Sequence, residues 1–127
     1  MKKDIARGSM WDIELFETSS GRCPTAEFLE ALPPHHKERV LRALGRLEEH
    51  GELLDRPHVG YLRDKIRELR ITAERIQYRV LFFRDRSTYV MCQGFPKTAR
   101  RVRDSEIDKA IEYREEHFRR KEIGVGR

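Results

Sequence analysis

The sequence predicts an α+β fold: a small twisted antiparallel sheet with two N-terminal helices packed on one face and a C-terminal helix. Three observations carry this reading. Residues 66–95 hold three runs of branched and aromatic residues, and the gaps TAER and DRST between them are short enough for hairpins. Residues 24–50, and again those from 104 onward, space their apolar side chains at a helical period. An alternating apolar and acidic run comes before both, so the element order is strand, helix, helix, three strands, helix.

Each element has its own signal. WDIELFE at 11–17 alternates Trp11, Ile13 and Leu15 with acids, the period-two pattern of a half-buried strand that Gly21 then breaks. Pro24 suits a first helical position, and Phe28, Leu29 and Leu32 form a short amphipathic helix stopped by Pro33 and Pro34. A second helix runs from about His35 to His50 with Val40, Leu41, Leu44 and Leu47 on one face and Gly51 as its stop. Residues 51–65 read as a loop with a short strand around Val59 to Leu62. Strands follow at Ile66 to Thr72, Ile76 to Arg84 and Thr88 to Phe95. From Asp104 the chain is helical, with Ser105 and Asp108 as a capping box and Ile107, Ala110, Ile111 and Phe118 along one side.

Size and charge narrow the function classes. A chain of 127 residues is expected to build one modest core, here a single domain over residues 11–120 with a tail at 121–127. Residues 1–10 are read as a tag or disordered N-terminus; MKKDIARGSM lacks the apolar middle of a signal peptide. No run approaches the roughly 18 to 20 apolar residues that cross a bilayer, so no membrane partner is expected. Cys23 and Cys92 fit no metal-ligand spacing and no disulfide framework, which points to reduced thiols in a cytoplasmic protein.

The net charge of +5 is unevenly placed. Between Arg56 and Arg103 there are 13 Lys/Arg against 4 Asp/Glu, so that segment carries +9 and the remainder −4. Positive charge gathered in the strand half is the footprint of a polyanion-binding face.

Within RELRITAERIQYRVLFF at 67–83, arginines alternate where a buried sheet would hold valine. Arg70 shares a strand face with Glu68, and Arg79 alternates with Tyr78 and Val80. A buried guanidinium without a partner costs several kcal/mol, so each must meet a carboxylate or look into a wet concavity. Both outcomes satisfy the residues: ion pairs with Glu68 or the C-terminal helix, or an anion-binding face in which the arginines are left for a ligand. Arg67 reads as a rim residue. Lys97, Arg100 and Arg101 follow the last strand in FPKTARR, as a solvated turn or a phosphate contact. His58 could serve as a general base or anchor its loop; Tyr61 could stack on a base or pack on the sheet. His35, His36 and His50 accompany no HExxH or CxxC pattern and read as solvated, and no metal or cofactor is expected.

RPHVGYLRDKIRELRI, then YRVLFF, then GFPKTARRVRDSEIDKAIEYREEHFRR, together with the opening WDIELFETSSGRCPTAEFLEALP, resemble the phage-derived HigB-like branch of the RelE/HigB toxin superfamily over about residues 11–120. The matching motifs are Glu68-Leu69-Arg70, Tyr78-Arg79-Val80, Gly94-Phe95-Pro96-Lys97 and Glu106-Ile107. The resemblance implies a RelE-like fold and the toxin of a type II toxin–antitoxin pair. Such a toxin is a metal-independent endoribonuclease that cleaves mRNA, usually on the ribosome, and is silenced by a cognate antitoxin. Carried over by position, it makes Arg70, Arg79 and Lys97 catalytic; beside them Arg67, Arg100, Arg101, His58 and Tyr61 are expected to bind RNA, with His58 or Tyr61 as the candidate base. The sequence departs from the family pattern where Thr98 follows Lys97 and where Arg103 and Asp104 fill later positions. Three rivals share the fold: a non-catalytic RNA- or ribosome-binding module, a ParE-like inhibitor of DNA gyrase, and a copy that has lost activity and only binds its antitoxin.

Overall fold

The three central runs form the strands expected of them. The computed structural model describes residues 11–52 and 57–125, and residues 1–10 lie outside it. Strands β1 (Asp12–Leu15), β2 (Val59–Tyr61), β3 (Arg67–Ala73), β4 (Ile76–Asp85) and β5 (Thr88–Pro96) make one sheet in the order β1-β5-β4-β3-β2. Helices α1 (Pro24–Glu30) and α2 (Pro34–His50) lie between β1 and β2, and α3 (Asp104–Val125) ends the chain. No described helix is long and apolar enough to cross a membrane.

The α+β class and the order of elements are as read from the sequence, with two differences in the sheet. β1 pairs with β5 in parallel, which makes the sheet mixed; the two helices between β1 and the remaining strands form the long connection that a parallel neighbour requires. Both faces are also covered in part. Leu69, Ile71, Val80, Phe82 and Met91 pack under α1 and α2, while Leu81, Phe83, Val90 and Cys92 pack against Ile107 and Ala110 of α3. Farther along the same face lie Arg70, which is partly exposed, and Arg79, which is buried.

In α2, Val40, Ala43, Leu44 and Leu47 are buried at the i, i+3, i+4, i+7 spacing of one stripe. Leu41, expected on that stripe, sits a third of a turn away and is 47% exposed. The capping box does not form: α3 starts at Asp104, so Ser105 lies inside its first turn, and Asp108 instead accepts from Arg63 at 2.7 Å. The helix runs through Val125.

A β-bulge sets the phase of the last strand. Phe82 pairs with Met91 but Leu81 with Gln93, so β5 takes two steps where β4 takes one. Strict alternation from Tyr89 and Met91 would turn Gln93 toward α2. The bulge turns it to α3, where its amide donates to the Glu106 carbonyl at 2.9 Å, and brings Phe95 opposite Arg79.

Candidate functional site

Arg70 and Arg79 face each other across β3 and β4, and alternation puts both on the α3 face together with Glu68. The two share that one carboxylate. Arg70 Nε donates to Glu68 Oε2 at 2.9 Å and Arg79 Nε to Glu68 Oε1 at 3.1 Å. One carboxylate against two guanidiniums leaves a net positive charge on that face.

The two arginines differ in what they have left to give. Arg70 is partly exposed, and its terminal nitrogens have no hydrogen bond among the described residues. Arg79 is only 8% exposed; its Nη1 donates to the Tyr78 carbonyl at 3.0 Å, and its Nη2 reaches Gln77 Oε1 at a marginal 3.5 Å. Burial lowers the Arg79 pKa from its ordinary value, Glu68 pulls the other way, and the Arg70 charge adds to the lowering. Guanidinium nevertheless stays charged in proteins.

Gly60 makes room for this arrangement. It pairs with Glu68 from β2, and a Cβ there would lie 2.2 Å from Arg70 Nη2 and 2.8 Å from Glu68 Oε2. The Arg70 fork therefore lies over bare backbone.

β2 pairs with β3 only as far as Leu69, which leaves the outer edge of β3 from Arg70 onward without a strand neighbour among the described residues. α2 flanks that edge, and Arg39 Nη1 donates to the Thr72 carbonyl at 3.0 Å. The result is a cleft of about 410 Å³ with Arg39, Arg42 and Arg46 on one wall and Arg70, Arg79, Thr72 and Gln77 on the other. His58 is exposed and lines it too. No acid lines this cleft among the described residues; Arg42 pairs with the exposed Glu38 one turn back at 3.2 Å. The helical arginines were missed by sequence reasoning. Their i, i+3, i+7 spacing was the signal, a basic stripe beside the apolar one.

Lys97 lies next to the cleft without lining it. Its backbone N–H donates to the Gln77 carbonyl at 2.7 Å, and its ammonium donates to the carbonyls of Ala99 at 2.9 Å and Arg100 at 2.7 Å. Two of its three protons thus hold its own loop. It borders a hollow with Arg75, Ile76 and Gln77, and a smaller one with Arg101, Arg103 and Glu106. Gln77 lines both the arginine cleft and the first of these hollows, which joins them into one surface.

Arg67 and Tyr61 are placed elsewhere. Arg67 belongs to the Leu69 face, where it pairs with buried Glu52, donates to the Lys65 carbonyl at 3.1 Å and lies 5.4 Å from the Tyr61 ring centre. Neither lines the cleft. His36, read as solvated, is 3% exposed and bonded to Tyr78 and Glu74. Glu74, in the turn between β3 and β4, is taken by His35 and His36.

Residues 27–115 match the model of a family described as phage derived protein Gp49-like (DUF891), and the match spans most of the chain from α1 into α3 and includes the whole cleft. No curated protein matches the sequence.

Proposed function

The chain belongs to the Gp49-like phage-derived family, which is associated with toxin–antitoxin toxins of RelE-like fold, and from that premise we propose that it is an endoribonuclease that cleaves mRNA to arrest translation. The observation that carries this is the Arg70 and Arg79 pair, two guanidiniums on the single carboxylate of Glu68 at the head of an acid-free cleft. A phosphodiester brings the negative charge that the site lacks.

RNA supplies its own nucleophile in the 2′-hydroxyl. The protein has to align it with the scissile phosphate, accept its proton, stabilise the added charge and protonate the leaving 5′-oxygen. The free end of the Arg70 fork would take two phosphate oxygens, and Arg79 Nη2 would exchange its long contact with Gln77 for a third. His58, exposed on the cleft wall, is the candidate base. The third proton of Lys97 would serve the leaving oxygen across Gln77, with Arg101 as a neighbouring phosphate contact. The stripe of Arg39, Arg42 and Arg46 would track the strand. This scheme needs no metal. Translating ribosomes as the site of cleavage, a cognate antitoxin as the silencing partner, the HigB-like branch as lineage and the cytoplasm as location belong to the same proposal.

The test is cleavage of a defined RNA by the purified protein, alone and with ribosomes, followed by end analysis. A 2′,3′-cyclic phosphate or 3′-phosphate is expected, and Arg70→Ala should slow single-turnover cleavage by roughly 100-fold or more, the usual cost of removing one transition-state donor. A folded Arg70→Ala protein that cleaves at the wild-type rate would reject the scheme.

One observation favours a second reading, an RNA- or ribosome-binding module without chemistry: Nε and Nη1 of Arg79 and two Lys97 protons are committed to the protein itself. That module would bind RNA tightly and leave its ends unchanged.

A further inference from the structure

We propose that His35, His36 and Glu74 form a binding site for a divalent transition metal, zinc by the chemistry of its donors, which clamps the N-terminus of α2 to the β3–β4 turn. The inference stands apart from RNA cleavage and does not depend on it.

The three residues converge from distant parts of the chain. Pro34 opens α2, so His35 and His36 lie in its first turn, while Glu74 occupies the tight turn between β3 and β4 in the left-handed region, at φ +57°. His36 Nε2 is 2.8 Å from Glu74 Oε1, and His35 Nε2 is 3.2 Å from Glu74 Oε2. All the donor atoms lie within 4.8 Å of one another. Zinc bonds of about 2.0 to 2.2 Å in tetrahedral geometry hold neighbouring donors roughly 3.3 Å apart. The two histidine nitrogens approach different oxygens of the one carboxylate, so with one donor atom from each residue the separations reach at most 4.8 Å, and the exposed ring of His35 can turn to shorten them.

An ordinary ion-pair cluster explains less of this arrangement. His36 is almost fully buried, and its other ring nitrogen, Nδ1, lies 2.8 Å from the buried Tyr78 hydroxyl. If Nδ1–H donates to that oxygen, the ring is fixed with its Nε2 lone pair toward Glu74, as the outer hydrogen bond of a metal-binding histidine fixes its ring. A metal there would displace the proton otherwise shared between Nε2 and the carboxylate. Two imidazoles and a carboxylate suit zinc, and the solvent side, where His35 and Glu74 are more than 60% exposed, admits a water as fourth ligand.

The position gives the clamp a consequence. α2 carries Arg39, Arg42 and Arg46, and the β3–β4 hairpin carries Arg70, Thr72 and Arg79, so a metal at their shared end would fix the two walls of the cleft against each other.

The experiment uses the full chain, stripped with chelator and dialysed, then titrated with zinc chloride by calorimetry and followed by thermal unfolding. One equivalent is expected to bind, with Tm rising by roughly 10 °C when free zinc is about a hundredfold above Kd. Cobalt(II) in its place should give the intense visible bands of four-coordinate geometry. Glu74→Gln and His35→Gln alter exposed side chains, so both should fold and both should lose the Tm shift. His58→Gln should keep it. A wild-type protein with no zinc-dependent shift, or an equal shift in Glu74→Gln and His35→Gln, would overturn the proposal.

Discussion

Arg70 and Arg79, direct partners across β3 and β4, hold the carboxylate of Glu68 between them. The contact does two jobs. It neutralises one of two like charges forced together by the strand register, and it leaves the other charge facing the cleft.

Glu68→Gln keeps the shape and removes that neutralisation. Breaking a buried pair from the acid side typically costs 3–5 kcal/mol, and because Arg70 is partly solvated the lower end, about 3 kcal/mol, is expected from urea unfolding. Inorganic phosphate should restore more stability to the variant than to the wild type, since an anion in the cleft replaces the missing charge. A loss below about 1 kcal/mol with no phosphate response would mean that Glu68 is not what holds the pair together.

Gly60→Ala tests the placement of Arg70 without touching a charge. The added methyl would meet the Arg70 terminal nitrogen first, and a flexible guanidinium can move away, so the fold should survive with a modest stability cost. RNA binding should weaken several-fold. In the Arg70→Ala background the same change should have almost no effect, because the group it displaces is gone; a double-mutant cycle measures that coupling directly. Equal effects in both backgrounds would place the Arg70 fork somewhere else.

These residues also show how far the sequence could be read. Period-two alternation is local, so it put Arg70 and Glu68 on one face and Arg79 on the face away from Tyr78 and Val80, while the register that sets Arg70 against Arg79 came from the structure. Alternation left open whether the arginines met an acid or a ligand, and the structure shows an acid shared by both. The cleft wall on α2 was harder, because Arg39, Arg42 and Arg46 form a helical stripe like any solvated one until the short β2 exposes the edge of β3 beside it. His36 and Glu74 are 38 positions apart, and only the packing of α2 on the β3–β4 turn brings them together. The parallel pairing of β1 with β5 has the same character: the alternation of WDIELFE fixes a strand but not its neighbour.

The junction of the β4–β5 hairpin with α3 should weaken in acid. Burial raises the Asp85 pKa, but hydrogen bonds from Lys121 and His117, each at 2.8 Å, outweigh it and hold the carboxyl below its ordinary value. A depressed folded pKa contributes stability that is present above the unfolded value, about 3.9, and is lost as pH falls through the folded one. Asp85→Asn should therefore be about 1–2 kcal/mol less stable than wild type at pH 7, and the two curves should converge toward pH 2. A difference that persists unchanged into acid would assign the effect to packing.

The helical stripe makes a prediction that separates charge contact from chemistry. Each phosphate neutralised on a single strand contributes about −0.7 to the slope of log affinity against log salt. Arg42 has one exposed partner, Glu38, and so little to lose inside the protein. Arg42→Ala should leave stability nearly unchanged and make the slope shallower by about 0.7. Cleavage at saturating RNA should be almost unaffected, because Arg42 lies on the wall away from the Arg70 and Arg79 pair. Arg119→Ala, exposed on α3 outside the cleft, should leave the slope as it is. An unchanged slope in Arg42→Ala, measured by fluorescence anisotropy across a salt series, would remove α2 from the RNA path and confine binding to the sheet.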